Sequence, residues 1–207
     1  PFLGPKFHEY EISRTIETYN NKIKSYNLSN KEIIKKTASL INSGNVIGWF
    51  QGRMEFGSRA LGNRSILASP LIPGMKAKLN EVIKKREGFR PFAPSCIEKD
   101  AFKLFNIKEP IPYMNQVVTV KRGVRPMPAI THIDGSARVQ TVNRKQNSKY
   151  YLLLQELKRI SGIGVSLNTS FNFKDQTITM TPKEAIDRFL DCEMDYLIIE
   201  NYLIEKV

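Results

Sequence analysis

The sequence predicts an α+β domain, or an α/β domain with a mixed sheet, rather than a doubly wound parallel sheet. Strand-like and helix-like patterns mix along the chain without the regular alternation that produces parallel βαβ units. The 207 residues, of which 41% are hydrophobic and 25% charged, suit one domain with an ordinary core. The sequence has no internal repeat, and no apolar run approaches the ~20 residues of a membrane helix.

Apolar residues spaced by three and four positions predict the helices. The clearest helix follows a cap at Ser29 or Asn30 and stops at Gly44, and another begins at the Thr181 cap with Pro182 in its first turn. The other predicted helices are a weak polar one within 9–24, one over 75–86, a short one over 100–105, and an amphipathic one over 150–160 that Gly162 closes.

Short apolar or β-branched runs between turn residues predict the strands. The run 116–120 has the strongest β-branched character. The turn dipeptide Asp134-Gly135 predicts two short strands joined within 130–142. The remaining predicted strands cover 46–50, 66–68, 92–97, 164–167 and 196–199.

The net charge of +12 favours anionic partners but does not choose between nucleic acid, a nucleotide and a phosphorylated metabolite. The two cysteines, Cys96 and Cys192, form no CxxC pair, so we expect reduced, buried thiols in a cytoplasmic protein. No signal-peptide pattern opens the chain. Because the chain begins without methionine, we expect it to be a fragment of a longer protein.

The most informative segment is the glycine-punctuated run 52–65, which follows a predicted strand and carries Arg53, Arg59 and Arg64. Glycine lets a backbone approach a ligand closely, and arginine presents a planar fork of donors that matches phosphate or carboxylate. The segment therefore predicts an oxyanion site, with a solvated basic loop as the alternative. We expect Glu55 to neutralise one of these arginines rather than to act in catalysis.

A second basic cluster covers 84–95. Cations are common at a helix C-terminus, so part of this cluster is expected at the surface. Arg90 differs because apolar residues surround it, and a cation in such surroundings needs a carboxylate or a bound anion as its partner.

Two further sets of polar residues are candidates. His132, Asp134 and Arg138 straddle a tight turn, and one His with one Asp is a poor metal site. Asn168, Ser170 and Asn172 follow a buried strand, where short polar side chains commonly bind ligands. The alternative for the second set is turn formation or helix capping.

The sequence contains no Ser–His or Cys–His nucleophile pattern and no GxxxxGK[ST] phosphate loop. The expected chemistry is therefore positioning plus charge stabilisation, which is typical of phosphoryl and nucleotidyl transfer.

Four segments in order, namely 52–65, 89–95, 131–142 and 167–172, resemble the C-terminal domain of NodU/CmcH/TobZ-type carbamoyltransferases. The resemblance covers nearly the whole chain. Ser58 departs from the family pattern, which usually has proline there. The family implies a YrdC-like fold, a twisted mixed sheet flanked by helices, for residues 29–207. Residues 1–28 are then expected to be a lead-in from an N-terminal domain that this sequence lacks.

The resemblance also implies an activity. The domain is expected to bind ATP, with Mg²⁺, and carbamoyl phosphate, and to form carbamoyl adenylate, which the N-terminal domain uses to carbamoylate an acceptor hydroxyl. No protein ligand for the metal is predicted. The family's ligand-contacting positions match Arg59, Lys84, Arg90, Arg138, Asn168 and Ser170, and of these Lys84, Arg59 and Arg138 are the expected catalytic residues.

Two alternatives remain. The positive charge also suits a YrdC-like module that binds nucleic acid such as tRNA without carbamoylation activity, or a degenerate domain that only docks onto a partner. The arginines stand among Gly, Pro and apolar residues rather than along a helix face with interleaved aromatics, which disfavours nucleic acid.

Overall fold

Helices and strands alternate irregularly along the chain in a computed structural model that describes residues 1–207. The helices are α1 (Glu9–Glu17), α2 (Asn30–Asn42), α3 (Met75–Ala77), α4 (Glu98–Leu104), α5 (Ser148–Ser161) and α6 (Pro182–Leu190), and a π-helical segment (Lys78–Ile83) continues α3. The strands are β1 (Ile23–Asn27), β2 (Ile47–Phe50), β3 (Arg64–Ala68), β4 (Ala93–Ile97), β5 (Val117–Thr119), β6 (Ser136–Arg138), β7 (Gln140–Val142), β8 (Val165–Ser170), β9 (Tyr196–Ile199) and β10 (Tyr202–Lys206).

Eight strands form one mixed sheet in the order β1-β10-β9-β2-β3-β8-β4-β7, and β5 and β6 form a separate ribbon. Two pairs in the large sheet, β2 with β9 and β4 with β7, are parallel, and the other pairs are antiparallel. This mixed sheet confirms the predicted α+β class. No helix combines the length and the hydropathy that crossing a bilayer requires.

Both faces of the central strands are buried. Successive side chains point to opposite sides of a strand, so each strand contributes to a core on either face. In β2, Ile47 and Trp49 pack with α2 and α5 on one face, whereas Phe50 belongs to the larger core on the other face. In β3, Leu67 faces α2 and α5, while Ile66 joins the opposite core with residues of α1 and α6. The sheet is therefore the middle layer of three.

The helix boundaries follow the capping residues. The Ser29 and Thr181 hydroxyls accept hydrogen bonds from the backbone N–H groups of Glu32 and Glu184, which confirms both predicted caps. Gly162 ends α5 at a φ of +85°, as predicted.

The predicted hairpin within 130–142 is wrong. Residues 130–133 form no strand, and the backbone N–H groups of Ile130 and Thr131 both donate to the Met127 carbonyl. The turn at Asp134-Gly135 is present. However, β6, which follows the turn in sequence, pairs with β5, and β7 pairs in parallel with β4. The β-branched run 116–120 therefore contributes three residues to the ribbon and none to the large sheet.

The first 28 residues belong largely to this fold. Helix α1 ends at Glu17. Strand β1, of which only the first two residues fall within the predicted helix, forms one edge of the large sheet by pairing with β10. Ile12, Ile16 and Ile23 lie in the larger core. The domain boundary predicted after residue 28 thus falls between β1 and α2.

Residues 1–5 form a strap over the loop that follows β2. Backbone hydrogen bonds join Gly4 to Met54, Met54 to Pro5 and Phe56 to Pro1 at 2.7–3.0 Å. The strap therefore ties the start of the described chain to the arginine-rich loop 52–63.

Gly62 in this loop has a φ of +103°, and a Cβ there would lie 2.2 Å from Cδ1 of the buried Tyr150 ring. We expect Gly62→Ala to lower the free energy of unfolding by about 3 kcal/mol or more, because backbone strain and overpacking add. Gly57→Ala is the matched control: its φ is +134° but its Cβ meets open space, so only strain, about 1 kcal/mol, applies. Urea unfolding of both variants measures the difference, and equal losses would contradict the steric argument.

Candidate functional site

Four segments meet at one end of the central strands β3, β8 and β4. Strand β8 is antiparallel to both β3 and β4, with Ser170 opposite Ser65 and Asn168 opposite Ala93. The end of β8 therefore adjoins the loops that precede β3 and β4, which are the two basic segments found in the sequence. The end of β6, with Arg138, lies at the same place.

A cleft that is partly open to solvent lies where these segments meet. Three of its residues are arginines, and none is Asp or Glu. The lining residues are Ser58, Arg59, Ala60, Arg86, Pro91, Phe92, Ala93, Met114, Arg138, Asn168, Thr169 and Ser170. This cleft is the candidate site, and its positive charge favours anions.

Glu55 shapes the loop that carries Arg59. Its buried Oε1 accepts backbone hydrogen bonds from Leu61 and Asn63, both at 2.7 Å, and from Arg64 at 3.2 Å. The expected pairing of this carboxylate with an arginine side chain is not found: Glu55 forms no ion pair. The carboxylate instead compensates the amide groups of a tight turn.

Arg64 stabilises the same loop through bonds to its backbone carbonyls. Its fully buried guanidinium stacks 3.5 Å from the centre of the Phe50 ring and donates to the carbonyls of Gln51, Gly52, Asn63 and Pro5. Burial lowers the pKa of Arg64 to about 10, against the opposing influence of Glu55 and Glu200. Both terminal nitrogens of Arg64 donate to backbone oxygens, and only its buried Nε lacks a partner, so Arg64 is structural.

Arg59 faces the cleft from the loop 52–63, and Arg138 faces it from the end of β6. Arg59 is exposed, whereas Arg138 is half-buried and its buried Nε has no hydrogen-bond partner. Burial, and then the positive charge of Arg59, lower the pKa of Arg138. Two guanidiniums close enough to repel each other, with no acid beside them in the cleft, would be stabilised by a bound anion.

Arg86 lines the cleft where the sequence favoured Arg90. Its guanidinium lies 4.9 Å from the Phe92 ring centre, and its Nε donates to Oδ1 of buried Asn80 at 2.8 Å. Burial, followed by the charge of Arg90, lowers the pKa of Arg86. Arg90 itself is exposed, pairs with Glu87 at 2.9 Å and does not line the cleft.

Asn80 is a supporting residue that sequence reasoning missed. Its Nδ2 donates to the carbonyls of Gly88 and Arg90, so one amide side chain fixes both Arg86 and the loop 86–90. Asn80 lies in the π-helical segment, and the available signal was an asparagine beside the apolar Leu79 within the predicted helix 75–86.

Lys84 lies behind the cleft wall, only 3% exposed. Its Nζ donates to the Ser170 carbonyl at 2.5 Å and to the carbonyl and Oδ1 of Asn172 at 2.8 and 3.0 Å. Burial, and then the charges of Arg86 and Arg188, lower the pKa of Lys84 to about 7. The amine thereby fixes the end of β8, and its charge state changes near neutral pH.

Asn168 and Ser170 both line the cleft from β8. The Ser170 hydroxyl donates to Oδ1 of Asn172 at 2.6 Å. Asn168 is 1% exposed; its Nδ2 donates to three acceptors, whereas its buried Oδ1 has no partner. Of the six residues carried over from the resemblance, the cleft thus brings together Arg59, Arg138, Asn168 and Ser170, while Lys84 and Arg90 lie outside its lining.

No group of three or more His, Cys, Asp or Glu side chains is arranged to hold a metal ion. His132 and Asp134 belong to the turn before β6, where the Ser136 hydroxyl contacts both side chains, and neither lines the cleft.

The family model described as carbamoyltransferase C-terminus matches residues 38–206. The chain belongs to this family. Nodulation protein NolNO of Sinorhizobium fredii is 44% identical over 179 residues, which cover 84% of this chain and 26% of NolNO. The 3'-hydroxymethylcephem-O-carbamoyltransferase of Amycolatopsis lactamdurans is 45% identical over 135 residues, which cover 64% of this chain and 25% of that enzyme.

Solved structures support the YrdC-like fold of this carbamoyltransferase C-terminus domain. Full-length HypF superposes with a TM-score of 0.58 at 18% identity, over 82% of this chain and 25% of HypF. A double variant of Sua5 from P. abyssi gives 0.53 at 12% identity, over 84% of this chain and 50% of that protein. The chain spans between 25% and 40% of the length of the curated relatives it matches.

The depressed pKa of Lys84 makes a prediction about stability and pH. Unfolding returns the amine to its ordinary pKa of 10.5, so between pH 7 and 10.5 the unfolded chain binds one more proton at this site. Stability due to Lys84 therefore rises with pH, by about 1.4 kcal/mol per unit. Urea unfolding from pH 7.5 to 9.5 should show this slope for the parent relative to Lys84→Met. Parallel pH curves for the two proteins would contradict the assignment.

Proposed function

We propose that the cleft binds ATP and carbamoyl phosphate, and that the domain forms carbamoyl adenylate. The observation that carries this proposal is the concentration of Arg59, Arg86 and Arg138 around one cleft with no lining carboxylate. The phosphates of both substrates bring several negative charges, and arginine forks match phosphate oxygens.

The chemistry needs little covalent help from the protein. Hydrolysis of carbamoyl phosphate yields carbamate and phosphate; a carbamate oxygen then attacks the α-phosphorus of ATP, and the bond to pyrophosphate breaks. Arg59 and Arg138, proposed as catalytic residues, would screen the repulsion between carbamate and α-phosphate and stabilise the charge that develops on the leaving group.

The partnerless groups of the cleft suit a carbamoyl group. Arg138 Nε is a donor without an acceptor, and Asn168 Oδ1 is an acceptor without a donor. A carbamoyl group brings a carbonyl oxygen for the first and an NH₂ for the second. The HypF structure that shares this fold is a phosphate- and nucleotide-bound form, which supports nucleotide binding here by analogy.

Lys84 and Arg90 have different proposed roles. Lys84 holds the backbone of Ser170 and can take up a proton when anions bind nearby, since its pKa lies near 7. Arg90 would have to release Glu87 to reach a phosphate.

Magnesium would enter as part of the nucleotide substrate. The cleft offers no carboxylate to hold the ion, so phosphate oxygens and water are its expected ligands. Transfer of the carbamoyl group to an acceptor hydroxyl is assigned to the part of the full-length protein that precedes this domain, as the greater length of the relatives suggests.

The reaction test supplies Mg-ATP with or without carbamoyl phosphate and measures pyrophosphate and carbamoyl adenylate. We expect pyrophosphate only when carbamoyl phosphate is present. Binding of both substrates is measured alongside by calorimetry, because the isolated domain need not turn over. Absence of binding by either substrate would overturn the proposal, and tight, steeply salt-dependent binding of tRNA instead would favour the nucleic-acid alternative.

Substitution of Arg138 tests the site itself. Arg138→Met keeps the aliphatic stem but removes the charged donors, so we expect ATP and carbamoyl phosphate to bind about 10- to 100-fold more weakly. Arg144→Met is the matched control, since Arg144 is exposed and lies outside the cleft. Titration calorimetry compares the variants, and equal affinities for the parent and Arg138→Met would place the anion site elsewhere.

A further inference from the structure

We propose that Gln140 is a positioning residue that fixes the orientation of the Asn168 side-chain amide and thereby makes the cleft select a ligand bearing an NH₂ group. The inference rests on the proposed binding of carbamoyl phosphate. It concerns discrimination between acyl phosphates of the same shape and charge, which the arginines alone cannot supply.

Two backbone carbonyls decide the orientation, because a carbonyl oxygen only accepts hydrogen bonds. The Leu61 carbonyl accepts from Nε2 of Gln140 at 2.9 Å. This contact identifies the nitrogen end of the Gln140 amide and directs its Oε1 toward Asn168. The Ala60 carbonyl accepts from Nδ2 of Asn168 at 3.2 Å.

Ser95 connects the two amides. Its hydroxyl donates to Oε1 of Gln140 at 2.6 Å and so presents its lone pairs to Nδ2 of Asn168, which lies 2.9 Å away. Gln140 Oε1 is also 3.2 Å from this nitrogen. A flipped Asn168 amide would set its oxygen against the Ala60 carbonyl and Gln140 Oε1, both acceptors, so the flipped form is disfavoured.

The orientation leaves an acceptor for the ligand. Ser95, Gln140 and Asn168 are at most 4% exposed, but of these three only Asn168 lines the cleft. Its nitrogen is held by Ser95 and Gln140, and its oxygen is the end without a partner. A ligand NH₂ can donate to that oxygen, whereas a methyl group in the same position leaves it unsatisfied.

Carbamoyl phosphate and acetyl phosphate differ only by NH₂ against CH₃, so they are the probes. Calorimetric titrations of the 207-residue chain with each, and with inorganic phosphate, are repeated for three variants. Gln140→Met removes the acceptor that faces Asn168. Gln140→Glu, buried and protonated, keeps an oxygen there and an O–H that can donate to the Leu61 carbonyl. The third variant, Gln146→Met, alters an exposed glutamine as a control.

We expect the parent and Gln146→Met to bind carbamoyl phosphate about tenfold more tightly than acetyl phosphate, which is the value of one hydrogen bond of this kind. In Gln140→Met this ratio should fall toward one while the affinity for inorganic phosphate stays unchanged, and Gln140→Glu should retain the ratio. A purely structural role for Gln140 would weaken all three ligands together.

An unchanged ratio in Gln140→Met, or a loss of the ratio in Gln140→Glu equal to that in Gln140→Met, would overturn the inference. If Gln140→Met does not fold, Ser95→Ala removes the nearest acceptor of the Asn168 amide, and an unchanged ratio there is equally decisive. If the parent binds carbamoyl phosphate no more tightly than acetyl phosphate, this inference is wrong but the proposed function is not affected. If the parent binds neither carbamoyl phosphate nor inorganic phosphate, both the proposed function and this inference are wrong.

Discussion

The position of β8 between β3 and β4 is the constraint on which the rest of the site depends. Because β8 is antiparallel to both neighbours, its end lies beside the starts of both strands, and the loops that lead into them have to converge there. The two loops are more than twenty residues apart in sequence, yet each brings an arginine to one cleft. Parallel pairing of β8 with either strand would place one of these loops at the opposite end of the strands.

Buried polar side chains then hold these loops in place against the mutual repulsion of the arginines. Glu55 compensates three amide groups of the first loop, Arg64 binds its carbonyls, and Asn80 does the corresponding work in the second loop. Nearly all these contacts end on backbone atoms, so they set the path of the chain rather than the identity of a neighbouring side chain. The exposed or half-buried arginines remain available for a ligand.

The sequence predicted the fold class, most elements and the two basic loops, because caps, apolar periodicity and glycine-rich arginine segments are local signals. Strand β10 and the ribbon of β5 and β6 were missed or misplaced, since short strands are defined by their partners, which are distant in sequence. Sequence reasoning favoured Arg90 over Arg86 because it could not show which contacts each side chain makes in the folded loop. A cation with an apolar neighbour looks alike in sequence whether it stacks on Phe92 or pairs with Glu87.

The strap of residues 1–5 has a mechanical consequence. Its hydrogen bonds to Met54 and Phe56 act on a loop that reaches Arg59 only three residues later. These backbone contacts limit how far the loop can move away from residues 1–5, so removal of the strap would loosen the segment that leads to Arg59.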